Sequence, residues 1–220
     1  MTEKITIALT KGRILKETLP LLERAGVVPS EDIDTSRKLL FATNRDDIQL
    51  LVMRGVDVPV YVRHGAADMG VVGKDVLLEY GSANIYELLD LGIAPCRLMT
   101  AEPNDYERRP GRIRVATKFV NIARDYFAEQ GLQVELIKLY GALELAPNLG
   151  LADMIVDIVD TGNTLKANGL RAVDEIAEVT SRLIVNRASM RSRHASLEHL
   201  INQLEEAVGK RSYAKNAGTR

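Results

Sequence analysis

The residues best suited to chemistry lie between positions 152 and 169. Positions 154–159 are apolar except for Asp157, as expected of a strand covered on both faces. Asp160 follows, and the turn Thr161-Gly162-Asn163-Thr164 then opens a short helix. Such a turn aims N–H groups and hydroxyls at one point, which suits a phosphate, and Gly162 lets the backbone come close to an anion. The two acids would then bind sugar hydroxyls or a metal ion.

The turn has a simpler explanation, because Thr and Asn are good N-cap residues for ordinary helices. It is not a Walker P-loop, since Lys166 comes after the turn, and no Gly-x-Gly-x-x-Gly motif follows the first strand. An apolar strand, then acids, then Thr-Gly-x-Thr is the order used to hold a phosphorylated ribose. The pattern therefore favours a ribose-phosphate site, with the plain N-cap left open.

Cations form a second signal. Lys11-Gly12-Arg13 directly follows the first apolar strand, at the start of a helix, where positive charge opposes the helix dipole. The segment therefore indicates an anionic ligand, although solvated charge in a loop would look the same. Arg37 and Lys38 precede another strand, and from the residues alone we interpret them as edge-strand protection.

The remaining polar residues form no recognisable catalytic or metal-binding set. His64, His194 and His199 are scattered, so we expect no histidine metal site. Asp75 and Glu144 each fall near the start of a helix, where an acid is favourable in any case.

Composition narrows the class of protein. The chain has 220 residues, 46% of them hydrophobic and 27% charged, with a net charge of −1, which is typical of a globular protein and not of a nucleic-acid or membrane-surface protein. The single cysteine, Cys96, excludes an internal disulfide and fits a reducing compartment. We find neither a signal-peptide pattern nor an apolar run long enough to cross a bilayer, and so expect a cytoplasmic protein.

Strand-like and helix-like segments alternate along the chain. Predicted strands cover 5–9, 39–42, 48–53, 68–72, 85–91, 97–101, 113–116, 134–139, 154–159 and 177–185. The alternation predicts an α/β fold with mainly parallel sheets. The polar stretch 103–112 marks a first domain crossing, and 179–187 a second. We therefore expect lobe I over 1–102 and 180–209, lobe II over 103–179, a cleft between the two lobes, and a disordered tail at 210–220.

Four segments together resemble one enzyme family along nearly the whole chain. They are ALTKGRI at 8–14, RGVDVPVYVR at 54–63, GAADMGVVGKD at 65–75, and residues 152–170. The chain resembles the ATP phosphoribosyltransferases, which catalyse the first step of histidine biosynthesis, and its length is similar to the short form of the family. The resemblance implies a two-lobed fold like that of type II periplasmic binding proteins, with a central cleft. It also implies a homodimer inside a hetero-oligomer with a regulatory subunit similar to histidyl-tRNA synthetase.

The resemblance further implies a reaction and a set of roles. Adenine N1 of ATP would attack ribose C1 of phosphoribosyl pyrophosphate, and pyrophosphate would leave. Asp157 would hold ribose hydroxyls, and Asp160, Thr161, Gly162, Asn163 and Thr164 would hold the 5′-phosphate. Arg13 and Arg37 would face the pyrophosphate as catalytic residues, with Arg37 reaching across a dimer interface. Lys11, Gly12, Asp75 and Glu144 would lie near ATP or pyrophosphate, and Mg²⁺ would come bound mainly to substrate phosphates.

Two alternatives remain at this point. A type I phosphoribosyltransferase acting on a nucleobase would have a single central sheet and no hinge strands. A two-lobed module that binds a small anion without catalysis would release no pyrophosphate, and it would need only one anion site.

Overall fold

The chain forms two α/β units. The structure is a computed structural model that describes residues 4–107 and 111–217, with side chains described up to residue 209. The first unit comprises Met1–Leu77, Gly81–Ala94 and Thr180–Arg220, and the second comprises Leu78–Tyr80 and Pro95–Val179.

The first unit is built on a six-stranded mixed sheet. Its strands are β1 (Ile5–Thr10), β2 (Leu40–Ala42), β3 (Ile48–Met53), β4 (Met69–Gly73), β5 (Ile85–Asp90) and β11 (Ser181–Asn186), in the order β2-β3-β1-β4-β11-β5. Its helices are α1 (Arg13–Arg24), α2 (Val58–Arg63), α3 (Lys74–Tyr80, ending in the second unit), α7 (Arg187–Ser192) and α8 (His194–Ala217). Strands β3, β1 and β4 are parallel, so their carboxyl ends meet at one edge of the sheet.

Strand β1 shows why a central strand is mainly apolar and buried along its whole length. Ile7 and Leu9 pack in the cluster that includes α1 and α8, whereas Ala8 packs in the cluster that includes α2. Side chains on the two faces of the strand thus enter two cores, which is why apolar residues occur on both faces. The C-terminal helix α8 is amphipathic, since Leu197, Leu200 and Leu204 are buried and Ile201 and Val208 pack against the same core.

The second unit has a five-stranded mixed sheet. Its strands are β6 (Cys96–Pro103), β7 (Ile113–Thr117), β8 (Val134–Lys138), β9 (Met154–Val159) and β10 (Leu170–Val179), in the order β10-β6-β9-β7-β8. Its complete helices are α4 (Val120–Glu129), α5 (Leu145–Asn148) and α6 (Asn163–Ala167). Strands β9, β7 and β8 are parallel, and β6 and β10 are antiparallel additions.

The first domain crossing differs from the sequence prediction. It lies between Ala94 and Pro95, not at 103–112, because β6 pairs with β9 and β10 and so belongs to the second unit. The stretch 103–112 instead connects β6 to β7, and its residues 108–110 lie outside the described residues. The second crossing falls between Val179 and Thr180.

Two further segments depart from the sequence prediction. Strand β10 begins at Leu170, although its charges, including Arg171, Asp174 and Glu175, hide the strand pattern. It is an edge strand that pairs only with β6 in the described chain, and charges suit such an edge. Helix α8 continues to Ala217, into the segment predicted to be a disordered tail, and 218–220 lie outside the described residues.

Candidate functional site

The turn from β9 to α6 is exposed and preorganised. Gly162 has φ +76°, a left-handed conformation in which other residues are strained, and it forms the N-cap of α6. Leu165 is buried and fastens the short helix to the core, while Thr161, Asn163 and Thr164 remain exposed. The hydroxyls of the motif are therefore available to a ligand.

The reason for Gly162 differs from the predicted one. A Cβ built at this position would meet only Val159 Cγ1 at 3.8 Å, which is an ordinary contact. Glycine is thus required here by the positive φ of the turn, and crowding within the chain does not require it.

One cavity brings most of the predicted sugar-phosphate residues together. Its volume is about 170 Å³, and it is lined by Glu144, Asp157, Ile158, Val159, Asp160, Thr161, Gly162, Thr164 and Leu165. Asn163 does not line this cavity. Glu144, at the N-cap of α5, was predicted from the family resemblance alone, and the fold brings it to the same place as the turn. Carboxylates and hydroxyls therefore share one concave surface.

Asp157 lies on an otherwise apolar face of β9. Its neighbours on that face, Ile155 and Val159, are buried in the core together with Leu165. Burial raises the pKa of Asp157, nearby Lys118 and a hydrogen bond from the backbone of Ile158 lower it, and Glu144 raises it. The carboxylate is therefore held in an environment that disfavours its charge, as is common at functional sites.

Lys118 is a site residue that sequence reasoning missed. Its Nζ lies 3.5 Å from Asp157 Oδ1. The sequence offered one signal, which is that Lys118 lies just after a predicted strand. In the structure this strand, β7, is parallel to β9, so the two strands end at the same edge of the sheet. The pairing of β7 with β9 could not be known from the sequence.

In the first unit, the Lys11-Gly12 segment follows β1 as predicted. Gly12 has φ +82° and is the N-cap of α1, and the N–H of Lys11 donates to the carbonyl of Met53 at 2.9 Å. Lys11 lines a cavity of about 370 Å³ whose other polar residues are Arg54, Asp57 and Tyr61. These three residues lie in the 54–63 segment of the family resemblance but were not predicted as site residues.

Arg13, Arg37 and Asp75 lie outside that cavity. Arg13 is exposed, and its Nε donates to Glu17 Oε1 at 3.0 Å along the same helix. Arg37 is exposed on the connection between α1 and β2. Asp75 lies in the first turn of α3, where a Cβ at Gly73 would overlap its Oδ1. A side chain at position 73 would therefore displace this carboxylate.

Within the described part of the chain, no group of three or more His, Cys, Asp or Glu side chains is arranged to hold a metal ion, and no helix is long and apolar enough to cross a membrane.

Comparison with known proteins gives a consistent result. The family profile HisG, described as ATP phosphoribosyltransferase, matches residues 54–206. An ATP phosphoribosyltransferase of Saccharophagus degradans is 64% identical over 96% of this chain and 99% of its own length. One from Pseudomonas fluorescens is 62% identical over 94% of this chain and 98% of its own.

Solved structures extend the comparison to the fold. The ATP phosphoribosyl transferase (HisG:HisZ) complex from Thermotoga maritima contains a chain that is 33% identical, with a TM-score of 0.82, covering 94% of this chain and 99% of that one. The periplasmic aliphatic sulphonate binding protein SsuA from Escherichia coli is 15% identical with a TM-score of 0.59, covering 98% of this chain and 76% of that one. This second likeness concerns the fold alone, which is that of a type II periplasmic binding protein.

Proposed function

The chain belongs to the ATP phosphoribosyltransferase family, and we propose that it uses the turn at 160–164 to hold the substrate's 5′-phosphate during catalysis. The reaction joins ATP to 5-phosphoribosyl 1-pyrophosphate, giving phosphoribosyl-ATP and pyrophosphate, and is the first step of histidine biosynthesis. It makes the chain a glycosyltransferase that transfers a pentosyl group.

One observation carries the assignment of the sugar-phosphate site. The cavity at the end of β9 combines the exposed hydroxyls of Thr161 and Thr164 with the carboxylates of Asp157 and Asp160. Hydroxyls and backbone N–H groups suit the three oxygens of a phosphate, and a carboxylate suits the donors of a ribose diol. Phosphate and diol occur together in a phosphorylated ribose.

The reaction depends mainly on positioning of the two substrates and on electrostatic stabilisation of the transition state. Adenine N1 donates its lone pair to ribose C1, the C1–O bond to pyrophosphate breaks, and the electron pair leaves with pyrophosphate. The transition state carries positive charge on the ribose and growing negative charge on the leaving group. We propose that Asp157 binds the ribose hydroxyls. Arg13 and Arg37 would stabilise the negative charge on the pyrophosphate.

The remaining assignments follow the chemistry of the ligand. Lys11 and Gly12 would contact oxygens of ATP or pyrophosphate, since Lys11 is an exposed cation beside a cavity. Asp75 and Glu144 would accept donors from the same ligands. Arg37 is exposed, so a second copy of the chain in a homodimer could use it.

Mg²⁺ fits the site as part of the substrate. The described residues offer no cage of three ligating side chains, and Mg²⁺ is commonly carried by phosphate oxygens with few protein ligands. Bound in this way, the ion would neutralise negative charge on the pyrophosphate.

We also propose a partner and a compartment. The Thermotoga maritima neighbour is a HisG:HisZ complex, and a HisZ-like regulatory subunit similar to histidyl-tRNA synthetase is the partner we expect for this chain. A cytoplasmic location agrees with a reaction that consumes ATP.

An adduct assay tests the function. The purified chain is mixed with ATP, phosphoribosyl pyrophosphate and Mg²⁺, with and without a HisZ-like subunit, and the absorbance of phosphoribosyl-ATP is followed. Formation of adduct with equal release of pyrophosphate is expected. Ligand binding without adduct in both mixtures would contradict the proposal and would favour a binding module.

A variant assay tests the phosphate turn. Gly162→Val combined with Thr164→Ala should abolish binding of phosphoribosyl pyrophosphate in calorimetry, because it strains the turn and removes a hydroxyl. Exposed Thr35→Val is the matched control and should bind normally. Retained affinity in the double variant would show that the phosphate is held elsewhere.

A further inference from the structure

Lys118 faces the ribose-binding carboxylate, yet it has no role in the assignments above. Asp157 Oδ1 is buried and finds no hydrogen-bond partner among the described residues. Lys118 Nζ lies 3.5 Å from this atom, which is beyond the usual length of a strong hydrogen bond. The contact is therefore chiefly electrostatic.

The backbone around Lys118 is firmly held. Thr117 Oγ1 donates to the carbonyl of Val156 at 2.7 Å and accepts the N–H of Phe119 at 2.9 Å. The turn after β7 is thereby tied to β9, one residue from Asp157. Lys118 Nζ also lies 4.7 Å from the ring centroid of buried Phe119, a favourable cation–π contact. These contacts place the ammonium beside Asp157 although the lysine side chain is 42% exposed.

The charged groups around Asp157 come from three elements. Lys118 faces it from the β7–α4 connection, Glu144 from the N-cap of α5, and Asp160 lines the same cavity. The neighbouring strand β6 presents uncharged Met99 in register with Asp157. Among the described residues named here, Lys118 is the cation that offsets the negative charge of Glu144 and Asp160 beside Asp157.

A vicinal diol needs two acceptors. An ionised carboxylate can accept from both ribose hydroxyls, whereas a protonated carboxyl is itself a donor and accepts poorly at one oxygen. We propose that Lys118 is a positioning residue for the sugar, which keeps both oxygens of Asp157 available to the ribose diol. This inference rests on the proposed function, because it takes Asp157 as the group that binds ribose.

The first test needs no ligand. The side-chain carboxyl carbon of Asp157 is titrated by NMR in the unliganded chain, with its signal assigned by comparison with Asp157→Asn. Lys118→Met should raise the titration midpoint by about one pH unit or more, since an adjacent opposite charge shifts a carboxyl pKa by roughly 1–3 units. Lys118→Arg, which keeps the charge, should stay close to the wild type. An unchanged midpoint in Lys118→Met would overturn the proposal.

The second test measures binding of phosphoribosyl pyrophosphate by calorimetry across a pH series. The ratio of variant to wild-type affinity at each pH cancels the titration of the ligand's own phosphates. For Lys118→Met, this ratio should fall by about tenfold as the pH drops through the Asp157 midpoint of the variant, because a shift of one pKa unit corresponds to a tenfold change. For Lys118→Arg, the ratio should stay near one. An equal loss at every pH would mean that Lys118 contacts a phosphate directly, which contradicts the proposal.

The two tests also separate this inference from the proposed function. A wild-type chain that binds no phosphoribosyl pyrophosphate at any pH would refute both the proposed function and the role toward the diol. A wild-type chain that binds the sugar normally, with Lys118→Met indistinguishable from it in both tests, would refute the role of Lys118 alone.

Discussion

At the scale of single residues, Asp157 works against the stability of its own unit. It interrupts the apolar face formed by Ile155, Val159 and Leu165, and one of its oxygens is buried without a hydrogen bond among the described residues. Burial raises its pKa, and Glu144 raises it further against the opposing effect of Lys118. Placing a carboxylate here is unfavourable for folding, and binding of ribose hydroxyls would explain why it is present.

Asp157→Asn should therefore stabilise the protein at neutral pH while impairing substrate binding. Because the folded-state pKa is raised, the folded state binds more protons between the ordinary and the raised pKa, so wild-type stability falls as pH rises through that window. The variant lacks this dependence, and its advantage in free energy of unfolding should shrink as pH falls. Urea unfolding of both proteins at several pH values measures this difference. Exposed Asp160→Asn is the control, and a larger gain there would contradict the role of burial.

At the scale of elements, the site in the second unit depends on two parallel strands that end side by side. β9 supplies Asp157 and the phosphate turn, and β7 supplies Lys118. The side chain of Thr117 links the two strand ends through its contacts with Val156 and Phe119. A buried hydroxyl between strands thus sets the position of a charged group at the surface.

Thr117→Val tests this link. The substitution keeps the shape of the side chain but removes the hydroxyl that bonds the carbonyl of Val156 and the N–H of Phe119, so the free energy of unfolding should fall by about 1–3 kcal/mol. Chemical denaturation measures the loss, and exposed Thr35→Val should change stability by less than about 0.5 kcal/mol. Equal, small effects at both positions would show that the hydroxyl of Thr117 is dispensable.

At the scale of the whole molecule, the chain closes its first unit with its last helix. Leu197, Leu200 and Leu204 of α8 are buried in the core that β1 and α1 also form. At the start of α8, Arg193 Nη1 donates to the carbonyl of Lys4 at 2.9 Å and lies 3.3 Å from Asp68 Oδ2. The residue before β1 and the residue before α8 are therefore joined in one unit.

Removal of residues 210–220 should leave both activity and stability nearly unchanged, because the described apolar contacts of α8 end at Val208. Leu204→Ala, which truncates a fully buried side chain in the same helix, should lower stability by about 2–5 kcal/mol. Thermal unfolding and steady-state kinetics compare the two variants. A large loss on truncation would show that the terminal segment is structural.

The sequence by itself determined the local elements and the chemical character of the site. Mainly apolar runs such as 154–159 indicate strands covered on both faces, and the Thr-Gly-x-Thr turn with its acids favours a ribose-phosphate ligand, because these signals depend only on residues near one another in the chain. Most of strand β10 was not predicted, because its charged residues do not look like those of a buried strand. Charges are tolerated there because β10 lies at the edge of the sheet, and the order of strands in a sheet is not visible in the sequence.

Only the tertiary structure decided which strands are neighbours. It moved the first domain crossing to Ala94 and Pro95, since β6 pairs within the second unit. It brought Glu144 and Lys118 close to Asp157, across 13 and 39 residues of chain respectively. Sheet order and strand register arise from packing over the whole unit, so the companions of a local motif do not follow from the motif alone.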